Sequence, residues 1–280
     1  MLVVMGFVLA TGLAFLAHGK RALDWSDKGV RRSILINLFL HVSYGVLAAG
    51  AVYALVNGFY TFLVASGLPF VPRSVWDGVP FWLLCPLMVI LVDFADYCSH
   101  RLMHTKLLWP IHAVHHSDPD MNWTTTFRVH IFEPVLMKLF YVVFFTLAGL
   151  DAMDLALVSM ITFLYNAFVH INADIKFDGV LGKILASPRY HRWHHADVPE
   201  AYNRNFANIF VFWDCLFGTF YMNGRHEGRL GFEHSPGHNV LAMFIFPFVQ
   251  WYRDWKDWRT SAGAPAAFEA QNVSAPPIRY

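Results

Sequence analysis

Residues 99–104 read SHRLMH, residues 112–116 read HAVHH and residues 191–195 read HRWHH. On an α-helix, side chains three or four positions apart lie on one face, so each cluster can aim two or three imidazoles at one point. Neutral imidazole is a ligand for iron, zinc, copper and nickel. Eight such ligands exceed what one tetrahedral zinc ion uses, so the pattern predicts a centre with two metal ions. The predicted ligands are His100, His104, His112, His115, His116, His191, His194 and His195.

The composition around these clusters indicates a membrane protein. The 280 residues are 56% hydrophobic and 17% aromatic but only 15% charged, whereas a soluble domain carries about a quarter charged residues. The net charge of +1 gives no reason to expect nucleic acid or a strongly acidic partner. The three cysteines show no paired spacing, which argues against a disulfide framework.

Several apolar stretches approach the length of about 20 residues that a helix needs to cross a bilayer. The predicted spans are 34–56, 80–97, 134–150 and 153–170, with a shorter candidate at 2–17. A further aromatic-rich stretch, 240–252, is expected to lie at the membrane interface or to pack on the core. These stretches predict four to five spans.

Lysine and arginine placement predicts the orientation. Residues 18–33 include five basic residues, whereas the next connection, 57–79, contains only Arg73. With five spans, the basic segments fall on one side, as the positive-inside rule expects for the cytoplasm. We therefore predict an all-α, multi-pass membrane helical bundle with a cytoplasmic helical cap that holds the histidines, in a bacterial inner membrane or the endoplasmic reticulum.

Two aspartates precede the first cluster on the same helical face. Asp93, Asp96, His100 and His104 are separated by three or four residues. Carboxylates inside a span are costly and usually functional, and Asp96, one turn before His100, could accept the second imidazole N–H of a ligand histidine. The alternative is that both aspartates face water where the span ends. Asp93 and Asp96 are therefore candidates for supporting the metal ligands.

Beyond the histidine clusters, a set of motifs resembles a known family. These motifs occupy 93–104, 108–117, 122–130, 166–172, 187–195, 203–208 and 212–220. Together they are similar to the sterol desaturase/fatty acid hydroxylase superfamily over roughly residues 80–225. The resemblance implies an integral membrane oxygenase with a histidine-ligated di-iron centre. It also implies that His170 is an additional iron ligand and that His130 is either a ligand or a support for one.

The resemblance also divides the chain. We assign 1–79 to N-terminal membrane spans, 80–225 to a fatty acid hydroxylase-like catalytic domain and 226–259 to a C-terminal interfacial or cap segment. Residues 260–280, rich in Ala, Pro and Ser, are expected to be a disordered tail.

The implied activity is O2-dependent hydroxylation or desaturation of a lipid such as a sterol or fatty acyl chain. Two iron ions would be the cofactor and O2 the co-substrate, with no catalytic residue beyond the metal ligands. Residues 188–195 and 213–220 are also similar to alkylglycerol monooxygenase, so ether-lipid oxygenation is the alternative. No flavin, haem or dinucleotide motif is visible, so we expect a separate ferredoxin- or cytochrome-type electron donor with its reductase.

Two other classes of protein could use the same histidines. A membrane zinc hydrolase is disfavoured because the chain lacks H-E-x-x-H and no glutamate lies in any cluster. A non-enzymatic metal transporter or sensor is disfavoured because its ligands should lie within the spans, whereas these clusters lie beyond the span ends.

Overall fold

The structure, a computed structural model, describes residues 27–68, 71–150 and 152–261. Within these ranges the chain forms α-helices and no strand, apart from two isolated bridges that pair Leu185 with Phe210 and Ala196 with Leu230. The predicted all-α class is confirmed for this part of the chain. The helices are α1 (Lys28–Leu47), α2 (Ala49–Ala65), α3 (Phe81–Met103), α4 (Trp109–His116), α5 (Glu133–Leu147), α6 (Ala152–Val169), α7 (Leu181–Ile184), α8 (Pro188–His194), α9 (Phe212–Leu216) and α10 (Val240–Ser261).

Helix α3 connects the apolar bundle to the histidines. It begins directly after Pro80, whose backbone is extended and so not helical. It continues for 23 residues, a length of about 35 Å. Among the described residues it is the single helix long and apolar enough to cross a membrane unaided. The first histidine cluster therefore continues the helix predicted at 80–97, as expected.

The stretch predicted as one span over 34–56 is instead two helices. Helices α1 and α2 meet at Ala48 with a bend of 59°, and only as a bent pair do they meet the length and apolarity of a span. Gly45 and Gly50 flank the break, and glycine costs about 1 kcal/mol in a helix relative to alanine. The span predicted at 34–56 therefore corresponds to a bent pair of helices and not to one straight helix.

The helices over the other two predicted spans are short. Helix α5 has 15 residues, or about 22 Å, against a hydrocarbon layer of about 30 Å. Helix α6 has 18 residues, and its apolar segment, Val158–Val169, is shorter than a span. The count of four to five spans, the cytoplasmic side of the cap and the domain boundaries therefore remain predictions.

Two sequence predictions concern the two ends of the chain. The candidate span at 2–17 lies outside the described residues. Helix α10 continues to Ser261, so the first two residues assigned to a disordered tail are helical. The remainder of that tail, 262–280, also lies outside the described residues.

The bundle is formed by α3 packing on α5 and α6, with α2 against α5. Met88 and Val92 of α3 are fully buried in this core, together with Phe145 and Val158. The outer faces of α1, α2 and α3 expose large apolar side chains to the surroundings, which suits contact with lipid. These include Leu35, Phe39, Val46, Tyr53, Phe62, Trp82 and Leu87.

A buried polar cluster fastens the loop after α4 to α1. The Asp118 carboxylate accepts hydrogen bonds from Asn37 Nδ2 at 3.0 Å and Thr125 Oγ1 at 2.7 Å, and Arg128 Nε donates to Ser117 Oγ at 2.9 Å. Burial raises the pKa of Asp118, but the Arg128 charge and these donors outweigh burial and leave that pKa below its usual value. The cluster fixes the exit of the helix that carries the second histidine cluster.

Candidate metal centre

Four segments of the chain bring histidines together in the cap. Helix α3 carries His100 in its last turn and is followed directly by His104, while His170 directly follows α6. Helices α4 and α8 carry the second and third clusters. Each begins with proline in its first turn, a position where the missing N–H costs nothing. Ser187 Oγ caps α8 by accepting from Tyr190 N at 3.2 Å.

The nine histidines predicted as ligands form two adjacent groups. Within each group, the potential ligand atoms lie within 4.8 Å of one another. The five-histidine group contains His100, His104, His112, His116 and His194. The four-histidine group contains His115, His170, His191 and His195. Helices α4 and α8 each contribute to both groups, and the His116 and His195 rings stack with centroids 4.4 Å apart. Two cation sites would therefore be neighbours.

The five-histidine group has the donor set that a metal requires. The Nε2 atoms of all five histidines are buried and have no hydrogen-bond partner. Leaving a buried polar nitrogen unsatisfied costs about 1–3 kcal/mol, so five in one place point to a missing common partner. A metal ion bound by these nitrogens would satisfy all five at once.

In the four-histidine group the Nε2 atoms face one another directly. His170 Nε2 lies 3.1 Å from His115 Nε2 and 3.0 Å from His191 Nε2, which in turn is 3.2 Å from His195 Nε2. His170 Nδ1 lies 2.7 Å from the Asn166 carbonyl and must carry the proton there. Its Nε2 therefore presents a lone pair to the group, which fits a cation at the centre.

Burial keeps most of these imidazoles neutral in the metal-free protein. It lowers the pKa of His194 to about 3. Burial and the neighbouring imidazoles hold the pKa of His115, His191 and His195 well below 6.5. Metal ligation requires neutral imidazole, so the cap provides the ligands in the correct charge state.

In each of these rings the outer nitrogen is Nδ1, which points away from the group. Most of the Nδ1 atoms that have a hydrogen-bond partner lie next to a backbone carbonyl. His100 Nδ1 lies 2.7 Å from Phe206 O, and His194 Nδ1 lies 2.8 Å from Arg204 O. Such contacts fix the tautomer and the ring orientation of a ligand. His112 differs, because its Nδ1 lies 2.9 Å from the Glu133 carboxylate.

Neither of the two predicted supporting aspartates contacts a ligand histidine. Asp96 accepts from Tyr141 rather than from His100, whose outer nitrogen faces Phe206. Asp93 accepts from the backbone N–H groups of Ile209 at 2.8 Å and Phe210 at 2.9 Å. Asp93 is therefore fully buried and not at a water-facing span end, and it fixes the segment that also carries the Phe206 carbonyl.

Asp214 holds the same segment from the other side. Its carboxylate accepts from Phe206 N at 2.9 Å, Ala207 N at 2.8 Å, Tyr190 Oη at 2.5 Å and Thr219 Oγ1 at 2.6 Å. Tyr190 lies in α8, one residue before His191. Asp214 thus couples a ligand helix to the carbonyl that orients His100.

His130 lies outside both groups. Its Nε2 is 3.3 Å from the Phe244 carbonyl of α10, and its ring packs on Phe132 with centroids 5.0 Å apart. In this arrangement it positions the start of α5 and contributes no ligand atom to either group.

Sequence reasoning missed Glu133, the carboxylate that contacts a candidate ligand. It lies 21 residues from His112 and directly before an apolar helix, where an acidic residue is also favoured by the helix dipole. The one available signal was a glutamate followed by Pro134 at the start of that helix.

Comparison with known proteins agrees with this site. The family model described as fatty acid hydroxylase matches residues 85–219, which contain all nine histidines. The resemblance drawn from the sequence motifs is thereby confirmed. No solved structure matches the chain.

Three curated relatives act on lipids according to their names. The ornithine lipid hydroxylase OlsE of Rhizobium tropici is 30% identical over 174 residues, covering 61% of this chain and 52% of the relative. Alkylglycerol monooxygenase of Danio rerio is 30% identical over 185 residues, covering 65% of this chain and 40% of the relative. Its Homo sapiens counterpart is 31% identical over 201 residues, covering 71% of this chain and 42% of the relative. The match thus spans about half the length of these relatives or less.

Proposed function

We propose that this chain, whose residues 85–219 belong to the fatty acid hydroxylase family, is a membrane di-iron oxygenase that hydroxylates a lipid with O2. The observation that carries the proposal is the convergence of five unpartnered Nε2 atoms beside a second group of four histidines. Two iron ions bound there would supply the reductive activation of O2 that attack on an unactivated C–H bond requires.

The donor set supports oxygen chemistry. Both groups consist of histidines alone, within the part of the chain that the structure describes. Imidazole nitrogen has no counterpart to the stepwise oxidation of a cysteine thiolate, so the ligands survive beside a strong oxidant. Neutral ligands in this number also leave the total charge of the site positive, which suits binding of anionic oxygen species.

Aromatic side chains exclude water from part of the site. Phe206 packs on His104 with ring centroids 5.0 Å apart, and Trp109 packs on His104 and His116 at 5.0 and 5.1 Å. Displacement of water by apolar groups protects a reactive centre from side reactions. The partial exposure of His100 and His104, against full burial of the four-histidine group, supports approach of the substrate from the five-histidine side.

A lipid would reach that side from the bilayer. Helix α3 exposes apolar side chains in its first turns and carries His100 in its last. A chain lying along α3 would therefore have its reacting carbon near the metal centre, with the cap on the cytoplasmic side. Electrons would come from a separate ferredoxin- or cytochrome-type carrier and its reductase.

Two substrate classes follow from the relatives' names. The match to ornithine lipid hydroxylase favours hydroxylation of a lipid of the ornithine-lipid type. The matches to alkylglycerol monooxygenases favour attack on the carbon beside an ether oxygen. The second reaction would form an unstable product that collapses to a fatty aldehyde, so aldehyde detection separates the two.

A membrane zinc hydrolase is the weaker candidate. Such an enzyme needs a carboxylate on the side of the metal where water binds. Glu133 is the carboxylate found beside the described histidines, and it engages the outer nitrogen of His112 rather than the converging Nε2 atoms.

The test compares membrane lipids from cells that express the wild-type chain or His115→Ala. The wild type should add a hydroxylated lipid or a fatty aldehyde, and the variant should not, although both chains reach the membrane. His234→Ala serves as the control, because His234 is exposed and lies outside both groups. Identical lipid profiles for wild type and His115→Ala, with an electron donor present, would contradict the proposal.

A further inference from the structure

A buried carboxylate touches one candidate ligand. His112 Nδ1 and Glu133 Oε1 are 2.9 Å apart, and their side chains are 5% and 4% exposed. His112 lies in α4 and Glu133 is the first residue of α5. A glutamate at a helix start normally faces water near the helix dipole, but this one turns inward to the metal centre.

This contact makes the two histidine groups unequal. The outer nitrogens of His100, His194 and His170 face backbone carbonyls. In the described part of the chain, none of the other eight histidines in the two groups has a carboxylate within hydrogen-bond distance. The five-histidine group therefore receives a negative charge through one of its ligands, whereas the four-histidine group receives none.

The second oxygen of the same carboxylate is unpaired. Glu133 Oε2 is buried and has no hydrogen-bond partner. A buried ionised carboxylate is costly unless positive charge or hydrogen bonds compensate it. Among the residues that the structure describes, no lysine or arginine lies within ion-pair distance of Glu133, whose partner is His112. A cation on the far side of the His112 ring is the compensating charge that this arrangement requires.

We propose that Glu133 is a positioning residue that makes the two metal positions unequal. By accepting the Nδ1–H of His112, it fixes Nε2 as the ligand atom and strengthens that nitrogen as a donor. The ion in the five-histidine group is therefore bound more tightly and is more electron-rich than its neighbour. This inference rests on the proposed di-iron centre.

The test replaces the carboxylate with an amide of nearly the same volume. In Glu133→Gln the amide oxygen can still accept from His112, but the charge is lost. Loss of such a partner lowers metal affinity by about 10–100-fold, here at one site only. Titration with ⁵⁷Fe(II) under anaerobic conditions should show one weakened binding phase. Mössbauer spectra should show one altered doublet and one unchanged doublet.

The matched control is Asp118→Asn. It makes the same carboxylate-to-amide change at a fully buried position, but Asp118 accepts from Asn37 and Thr125 and from no histidine. Asp118 fixes the exit of α4, which carries ligands of both groups, so a general loosening of the cap would affect both doublets together in this control. If Glu133→Gln is misfolded by circular dichroism, Glu133→Asp replaces it and should weaken the same single site.

The outcomes separate the two proposals. A wild-type chain that binds fewer than two irons contradicts the di-iron centre itself. A wild-type chain with two irons whose affinities and doublets are unchanged by Glu133→Gln overturns the role of Glu133 alone. Equal changes in both doublets, as expected for Asp118→Asn, overturn that role as well.

Discussion

The Nε2 atoms of His170 and His191 lie 3.0 Å apart, although one residue follows α6 and the other lies in α8. The proton of His170 is held on its Nδ1 by the Asn166 carbonyl. The two Nε2 atoms therefore converge on a position that a cation can occupy. A cation there would need all four histidines of the group as ligands.

Removing His170 should empty one metal position. Three histidines remain in that group in His170→Ala, so we expect the iron content of anaerobically purified protein to fall from two ions per chain to about one. Elemental analysis measures this directly, with His234→Ala as the control that retains two. Two irons in His170→Ala would exclude His170 from the ligand set, and one iron in the wild type would exclude the second metal site.

Removing Asp214 should destabilise the cap. Asp214→Ala leaves the buried N–H groups of Phe206 and Ala207 without an acceptor, at a cost of about 1–3 kcal/mol for each group. Thermal unfolding in detergent should shift to clearly lower temperature. Asp178→Ala is the control, since Asp178 is 76% exposed in its side chain and bonded to Lys176. An equal melting temperature for the two variants would contradict the buttressing role of Asp214.

Acid should destabilise the metal-free protein. The unfolded-state pKa of histidine is near 6.5, whereas burial lowers the folded-state pKa of His194 to about 3 and holds the pKa of His191 and His195 well below 6.5. Below pH 6.5 the unfolded chain takes up protons that the folded chain does not, so folding stability falls as pH falls. Above pH 6.5 these groups are neutral in both states and contribute no slope. Melting curves of chelator-treated protein should therefore be flat from pH 7 to 8 and decline from pH 6.5 to 5. A flat profile down to pH 5 would show that the histidines are not buried as neutral groups.

The predicted orientation can be tested with two cysteine probes. Asp120 and Arg225 lie on the cap and are partly exposed. In a chain without its native cysteines, Asp120→Cys and Arg225→Cys should both resist an impermeant thiol reagent in intact cells and react in inverted vesicles. Labelling of either probe from outside would place the cap on the opposite side.

The histidine set could be predicted because ligand spacing is a local property. His100, His112 and His191 each have a partner three or four residues away on the same helical face. The division into five and four could not be predicted, because His115 and His116 are adjacent and their assignment depends on how α4 faces α8. Glu133 was missed for a related reason, since its partner His112 lies in another helix.

The bundle was predicted less completely than the site. Apolar length alone does not distinguish a span from two helices with a break, as at Ala48. It also does not show where a helix ends: the helix over the apolar run 134–150 is Glu133–Leu147, with only 15 residues. Asp93 was a candidate to support the metal ligands, with exposure to water at the end of a span as the alternative. It is buried because backbone N–H groups from residues 209 and 210 reach it across the fold.

The most direct test of the central claim is the origin of the oxygen atom in the lipid product. Membranes containing the chain, supplied with reductant and an electron carrier, should yield a hydroxylated lipid or fatty aldehyde under ¹⁸O2. We predict that the new oxygen of the alcohol carries the ¹⁸O label, and that His115→Ala membranes form no product. Product formed without O2, or labelled in the alcohol only from H2¹⁸O, would contradict oxygenation by this centre.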